Sequence, residues 1–380
     1  MSVSVRQFGA QGDGFSDDYA AIQAALESGE SEIVIPQGIY PISGTLRVHS
    51  HTRITAEGDA KLIMRGENRR QRGDFLLTNA DPEAGNTDIV ITGGIWDGGN
   101  TCPANEKPPI ESCTGYSGAV LNFTGVTHLT LRDMVVANSV TFYIRMSRLE
   151  DFVIENISFV SDKPGYNQDG LHFGGAVHRG TVKNIRALSY GQTNDDLIAL
   201  NADDCVTRVE NLDLVRDEIS DITLENIYAE SCHSIIRMAS VTAPIRRIRF
   251  KNVYGGFRVN AINADALRYC RTPIFRDEDY PNGVGILEDI TLENFTCYPA
   301  TPGAKTALLL EENAHRFVIR NFRALTPEYA APDYAALRMK NVTNQRVTAD
   351  GTEYAVTKRS DELTLNGFTS LTIDRTEDVT

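Results

Sequence analysis

The 380-residue sequence is poor in cysteine, short of basic residues relative to acidic ones, and without a long apolar run, and each shortage excludes something. Six cysteines stand at 102, 113, 205, 232, 270 and 297, with no Cys-x-x-Cys pair. That spacing argues against a zinc site, and thiols so thinly spread make no dense disulfide framework. Only Cys102 and Cys113, which bracket a proline-rich loop, are placed to bridge. Against 51 Asp and Glu there are 37 Lys and Arg, a formal net charge of −14. A nucleic-acid surface must replace lost counterions with clustered cations, so no nucleic-acid partner is expected. Nothing approaches 18 consecutive apolar residues, so no transmembrane helix and no membrane partner is expected. The opening Met-Ser-Val-Ser-Val-Arg lacks the apolar core of a signal peptide, which leaves cytoplasm, or secretion with a leader absent from this sequence, as the two expectations.

What the chain does have is a recurring apolar phrase. It reads Leu129-Thr-Leu-Arg-Asp133, Phe152-Val-Ile-Glu-Asn156-Ile157, Thr181-Val-Lys-Asn184-Ile185, Ile222-Thr-Leu-Glu-Asn226-Ile227, Ile248-Arg-Phe-Lys-Asn252-Val253, Ile290-Thr-Leu-Glu-Asn294-Phe295 and Phe317-Val-Ile-Arg-Asn321-Phe322. From Asp133 through each successive Asn the steps are 23, 28, 42, 26, 42 and 27 residues. A period in the twenties with occasional insertions marks a solenoid. Each phrase alternates apolar with polar residues and favours β-branched types, so it predicts a strand with one face inside a coil. The Asn after each strand tolerates a left-handed backbone at the turn, and stacked Asn side chains can hydrogen-bond along the axis, a structural role.

These features predict an all-β protein, a right-handed parallel β-helix in a single domain over residues 1–380. An N-terminal cap is expected at about 1–30, with a helix over Asp17 to Leu26 capped by Ser16 or Asp17 and carrying acidic residues in its first turn. Closing coils are expected at about 325–380, with Leu363-Thr364-Leu365 as a strand, and the stretch from Gly98 to Gly118 as a long loop walling a cleft.

Three segments carry the chemistry: Asn167-Gln168-Asp169-Gly170-Leu171-His172, Asn194-Asp195-Asp196-Leu197, and Cys232-His233-Ser234 with Arg237 following. Leu171 and Leu197 are 26 residues apart, one coil, which predicts Asp169 over Asp195 and Gly170 over Asp196. The same register predicts His233 beside Asp196, with Arg258 within reach one coil on. With coils about 4.8 Å apart, carboxylates so placed crowd one another. Crowded carboxyls cannot all ionise freely, so one gains a raised pKa and becomes a general acid while another stays ionised as base. His172 is expected as a surface or groove residue and His178 as a turn residue; Arg237 either touches substrate or covers the coil. Asp203-Asp204, like Asp17-Asp18, reads as a solvated turn or cap. No cofactor and no metal is expected, although clustered carboxylates also suit calcium.

The opening Val5-Arg-Gln-Phe-Gly-Ala-Gln-Gly-Asp-Gly14, with Asp17-Asp18, Ala21-Ile-Gln-Ala-Ala25 and Ile33-Val-Ile-Pro-Gln-Gly-Ile-Tyr40, resembles that of pectin-active β-helix proteins. Over residues 3 to about 325 the chain resembles the polygalacturonases, glycoside hydrolase family 28, whose pattern is Asn-Thr-Asp-Gly, Asp-Asp, Gly-His-Gly and Arg-Ile-Lys. Here these read Asn167-Gln168-Asp169-Gly170, Asp195-Asp196, Cys232-His233-Ser234 and Arg258-Val259-Asn260. The resemblance implies Asp195 as general acid, Asp169 and Asp196 as water-holding bases, His233 tuning the acid, and Arg258 on the sugar. Asn167, His172, Arg237 and Asn260 join it as substrate-binding candidates. The family lysine meets a galacturonate carboxylate, and Asn260 supplies no such charge, so a neutral or differently placed sugar becomes credible. The insertion between Asp196 and His233, with Asp203, Asp204 and Arg208, would favour short or terminal substrates by blocking one end of the groove. The implied function is an inverting hydrolase of a pectic or related polysaccharide. Its rivals are a calcium-dependent polysaccharide lyase and a non-catalytic, tail-spike-like carbohydrate binder.

Overall fold

The computed structural model describes residues 2–65, 73–100, 117–163, 165, 167–203, 211, 213–266, 276–304 and 306–376. The repeated phrases lie within long strands, among them Leu121–Ala137, Ile144–Val160, Val177–Ala187, Ile219–Ala239, Ile245–Ala264 and Val284–Pro299. Each pairs in parallel with the strands one coil before and one coil after. Leu131 lies beside Ile154, then follow Val182, Leu224, Phe250 and Leu292 in one register. All six are fully buried, so alternation along the sequence becomes one apolar column along the axis. The chain is an all-β, parallel β-helix.

The Asn of each phrase sits at a corner inside a strand whose pairing continues on both sides, not after its end. Asn156, Asn184, Asn226, Asn252, Asn294 and Asn321 all have φ between 54° and 60°. Each Nδ2 donates to the residue one coil back, from Asn156 on Asp133 to Asn321 on Asn294, at 2.7 to 3.0 Å. A second corner column has left-handed residues of changing type: His51, Asp88, His128, Asp151, Arg179, Asp221, Arg247, Asp289 and Arg316. Base and acid alternate along it, with pairs such as His128 with Asp88 at 3.0 Å and Arg179 with Asp151 at 2.8 Å.

The cap helix spans Tyr19–Leu26 and buries Ile22, Ala25 and Leu26 on the first coils. It starts later than the sequence predicts and has no acid in its first turn. Asp18 occupies the N-cap but does not cap: it is buried and accepts from the Gln11 and Gly12 N–H groups at 2.5 and 3.0 Å. The two loop N–H groups occupy the carboxylate oxygens, which leaves neither for the helix N-terminus. At the other end Ala335–Lys340 is the last strand to stack in parallel. Gln345–Ala349, Thr352–Val356, Glu362–Leu365 and Leu371–Arg375 pair antiparallel, so the expected closing coils are a folded-back cap that covers the open edge. Cys102, Cys113 and most of the loop from 98 to 118 lie outside the described residues, while Cys232 and Cys297 are buried thiols. Among the described residues no helix is long and apolar enough to cross a membrane.

Candidate active site

Three consecutive coils bring the carboxylates and His233 together, in a register one residue away from the expected one. Leu171 pairs with Ile198, so Asp169 is level with Asp196 rather than with Asp195, and the Gly170 N–H donates to the Asp196 carbonyl at 2.9 Å. Asp196 pairs with Ser234, which sets His233 level with Asp195 instead of Asp196. The strand Asp196–Asn201 is buried on both faces, so its sequence has no alternation to mark which side chains point inward, and a one-residue slip is invisible. A Cβ on Gly170 would stand 2.6 Å from the Leu197 carbonyl oxygen, so the coils close here only over glycine.

The Asp195 side chain is partly exposed, at 26%, and that of Asp196 is buried, at 3%. The His233 Nδ1 is 3.4 Å from an Asp195 oxygen and 3.9 Å from an Asp196 oxygen. Burial, then the neighbouring Asp196 and Asp169, push the Asp195 carboxyl up to about 7. Burial acts on Asp196 in the same direction, but His233 and the Arg237 guanidinium outweigh it and hold that carboxyl below the usual range. The two acids in turn raise the His233 imidazole, against its own desolvation. The buried Asp196 Oδ1 has no hydrogen-bond partner among the described residues. Two adjacent carboxyls are thus driven apart, one toward the protonated and one toward the ionised form.

The other candidates fall around this pair. His172 is buried rather than on the surface: its Nδ1 is 2.6 Å from an Asp169 oxygen and its ring stacks on Phe142 at 4.0 Å, which orients Asp169. Arg237 is also buried, with Nη2 2.6 Å from Asp265 and Nη1 3.9 Å from Asp196, so it acts on a carboxylate from below. Arg258 donates to Asn194 Oδ1 at 2.6 Å and to the Ser231 and Gly191 carbonyls at 3.1 and 3.3 Å, clasping the turn that carries Asp195. Asn260 is buried and donates to the Thr306 carbonyl at 2.9 Å, one coil beyond Ser234. Asn167 takes a left-handed turn with φ 54° just before the site. His178 opens a strand, not a turn, and meets Ser220 Oγ at 2.9 Å. Asp203 is no solvated turn either. It is fully buried and accepts from the N–H groups of Val241, Thr242 and Ala243, which replace its hydration. Asp204 and Arg208 lie outside the described residues. Sequence reasoning missed Asp265 and Phe142, which belong to no repeated phrase. Asp195, Asp196 and His233 have ligand atoms within 4.8 Å of one another, a set able to hold a cation.

A family model described as rhamnogalacturonase A/epimerase, pectate lyase-like, matches residues 2–258, which include all three carboxylates, His233 and Arg258. Over 100 residues, 26% of the chain and 12% of the relative, it is 33% identical to a preneck appendage protein of Bacillus phage PZA. Over 214 residues, 53% of the chain and 44% of the relative, it is 24% identical to a polygalacturonase of Persea americana. The matches therefore span less than half the length of either relative. Among solved structures, a hyperthermoactive exopolygalacturonase from Thermotoga maritima superposes with a TM-score of 0.61 at 14% identity, covering 98% of this chain and 95% of that one, a likeness of fold.

Proposed function

Because the chain belongs to the rhamnogalacturonase A/epimerase, pectate lyase-like family, we propose that it is a glycoside hydrolase that cleaves O-glycosidic bonds in a pectic or related polysaccharide with inversion. The observation that carries this reading is the division between Asp195, partly exposed and raised to about 7, and Asp196, buried and held ionised. In the proposed reaction Asp195 protonates the leaving-group oxygen. Asp196, with Asp169 one coil back, takes the proton of the attacking water as the anomeric carbon to oxygen bond breaks. His233 tunes the acid, and Arg258 supports it by fixing the Asn194 turn. Acid and base that admit a water between them stand about 6.5 to 9.5 Å apart, whereas about 5 to 5.5 Å goes with retention. The closest approach of Asp195 and Asp196, within 4.8 Å, is shorter than either, so the anomer of the first product is part of the test. Inversion supports Asp196 and Asp169 as bases; retention would recast one of them as nucleophile.

One observation favours a second reading. The convergence of Asp195, Asp196 and His233 on a cation-sized space suits a lyase, in which the ion would acidify a uronic sugar. Wild type and Asp195→Asn incubated with pectic and neutral oligosaccharides, with reducing ends and near-ultraviolet absorbance followed with and without chelator, separate the two. New reducing ends without absorbance, reduced about 10²- to 10⁴-fold by the substitution, are the expected result. Absorbance lost on chelation would replace hydrolysis by elimination, and binding without turnover would replace it by adhesion.

A further inference from the structure

A second surface, on the outer face just before the coil turns into the carboxylate strand, is built differently from the rest of the exterior. Its central row is set by strand register: Arg186 pairs with Tyr228, Tyr228 with Tyr254, Tyr254 with Thr296, and Thr296 with Arg323. At about 4.8 Å per coil the row runs about 19 Å along the axis, with an arginine near each end. The Tyr228 and Tyr254 rings stack 6.0 Å apart at 11°, and Tyr298 joins them at 5.9 Å. Glu230 fixes two of the rings, accepting from the Tyr228 hydroxyl on its carboxylate and from the Tyr298 hydroxyl on its carbonyl.

Two properties set this strip apart. Leu188, Tyr254, Leu325 and Tyr329, between 41% and 49% exposed, are four of the eight exposed large apolar side chains among the described residues, and they fall on or beside this row. Exposed apolar side chains grouped along one row in this way mark an interaction surface. The neighbouring outward row, by contrast, alternates sign through Glu155, Lys183, Glu225, Lys251, Glu293 and Arg320, and its charges pair, as Lys251 does with Glu225 at 3.5 Å and Arg320 with Glu293 at 3.2 Å. Arg186 and Arg323 are exposed and have no ion pair or hydrogen bond among the described residues. An interior-style packing role explains neither the exposed Tyr254 ring nor two solvent-facing guanidinium groups that have no acid partner among the described residues.

We propose that this row is a second binding track for an acidic polysaccharide lying along the helix axis, with sugar rings against the exposed part of the Tyr254 ring and its stacked neighbours and carboxylate or sulfate groups on Arg186 and Arg323. Sugar rings, which present an apolar C–H face, match exposed tyrosine, and guanidinium matches the planar fork of a carboxylate. The net charge of −14 disfavours the continuous phosphate of a nucleic acid, so two isolated cations point to a sparser polyanion. The strip adjoins the candidate active site, because the residue after Glu230 is Ser231, whose carbonyl accepts from Arg258. The choice of a sugar polymer as occupant rests on the carbohydrate reading above; the binding itself needs no turnover.

Affinity electrophoresis of the full chain in gels containing polygalacturonate, ι-carrageenan or neutral galactan tests it, with Asp195→Asn as the parent so that hydrolysis does not intervene. One or both polyanions are expected to retard the parent and galactan is not, with the responding polymer distinguishing carboxylate from sulfate. Arg186→Ala with Arg323→Ala, and separately Tyr254→Ala, are expected to weaken retardation at least tenfold with an unchanged Tm and gel-filtration volume. Retardation equal in variants and parent, no retardation by either polyanion, or a parent whose gel-filtration volume shows the strip covered by a second copy of the chain overturns the proposal. Retardation intact with no hydrolysis on the oligosaccharide panel removes the enzyme and keeps the track; hydrolysis with unaffected variants does the reverse.

Discussion

Asp195 and Asp196 are neighbours in sequence and opposites in environment, and that contrast has a consequence for stability as well as for chemistry. The Asp195 carboxyl is raised from 3.8 to about 7, so the folded state binds a proton there that the unfolded chain releases. The native structure is therefore unburdened by this group below about pH 4, loses stability as pH rises, and bears the full penalty above about 7. Asp195→Asn removes that penalty. At about 1.4 kcal/mol per pH unit the rise amounts to about 4 kcal/mol, and partial exposure of the side chain reduces this to roughly 1 to 3 kcal/mol. Asp195→Asn is expected to melt several degrees above wild type at pH 8 and level with it at pH 4, by differential scanning fluorimetry. A lower Tm at both pH values would mean that the carboxyl is not strained. Such a gain on removing a polar group is the usual mark of a residue kept for function at the expense of stability.

Elements show how far the sequence speaks and where it falls silent. The inward columns are legible because their residues alternate and recur, and the Asn corners because one residue type serves one left-handed position coil after coil. The other corner, from His51 to Arg316, needs the same backbone but fills it with His, Asp and Arg, so no repeated letter marks it. The candidate site is legible as a set of residues, and its register is not, because Asp196–Asn201 is buried toward both faces. The buried Asp203 reads as a solvated turn because its partners, the Val241 to Ala243 N–H groups, lie one insertion away in sequence. The Asn ladder itself is testable at Asn252, which has φ 57° and bonds to Asn226 and Asn294. Asn252→Ala gives up the ladder bonds and strains the backbone, about 2 to 3 kcal/mol together. Asn252→Gly keeps the backbone relaxed and is expected to lose about half as much in urea unfolding. Equal losses would mean that φ at this corner is unstrained.

At the scale of the molecule, a β-helix makes a row of identical backbone positions and leaves function to the few side chains that break the repeat. Asp169, Asp196, Ser234 and Asn260 occupy one such row, and the charge changes along it from carboxylate to hydroxyl to amide, so the acidic chemistry is confined to two adjacent coils. The antiparallel cap at one end and the Tyr19–Leu26 helix at the other close the core, which leaves the site to be set by coil register. The central claim is that one carboxyl of this pair is the acid and is tuned near neutrality. The measurement that tests it most directly is kcat/KM against pH for wild type and Asp195→Asn, on the best substrate of the oligosaccharide panel. Because the acid must enter protonated, the wild-type profile is expected to fall as pH rises through about 7, and to hold at acid pH as long as Asp196, depressed below the ordinary range, stays ionised. The variant is expected to lose about 10²- to 10⁴-fold in rate and the basic limb with it. A variant with full activity, or one that keeps the same fall near 7, would contradict the assignment of Asp195.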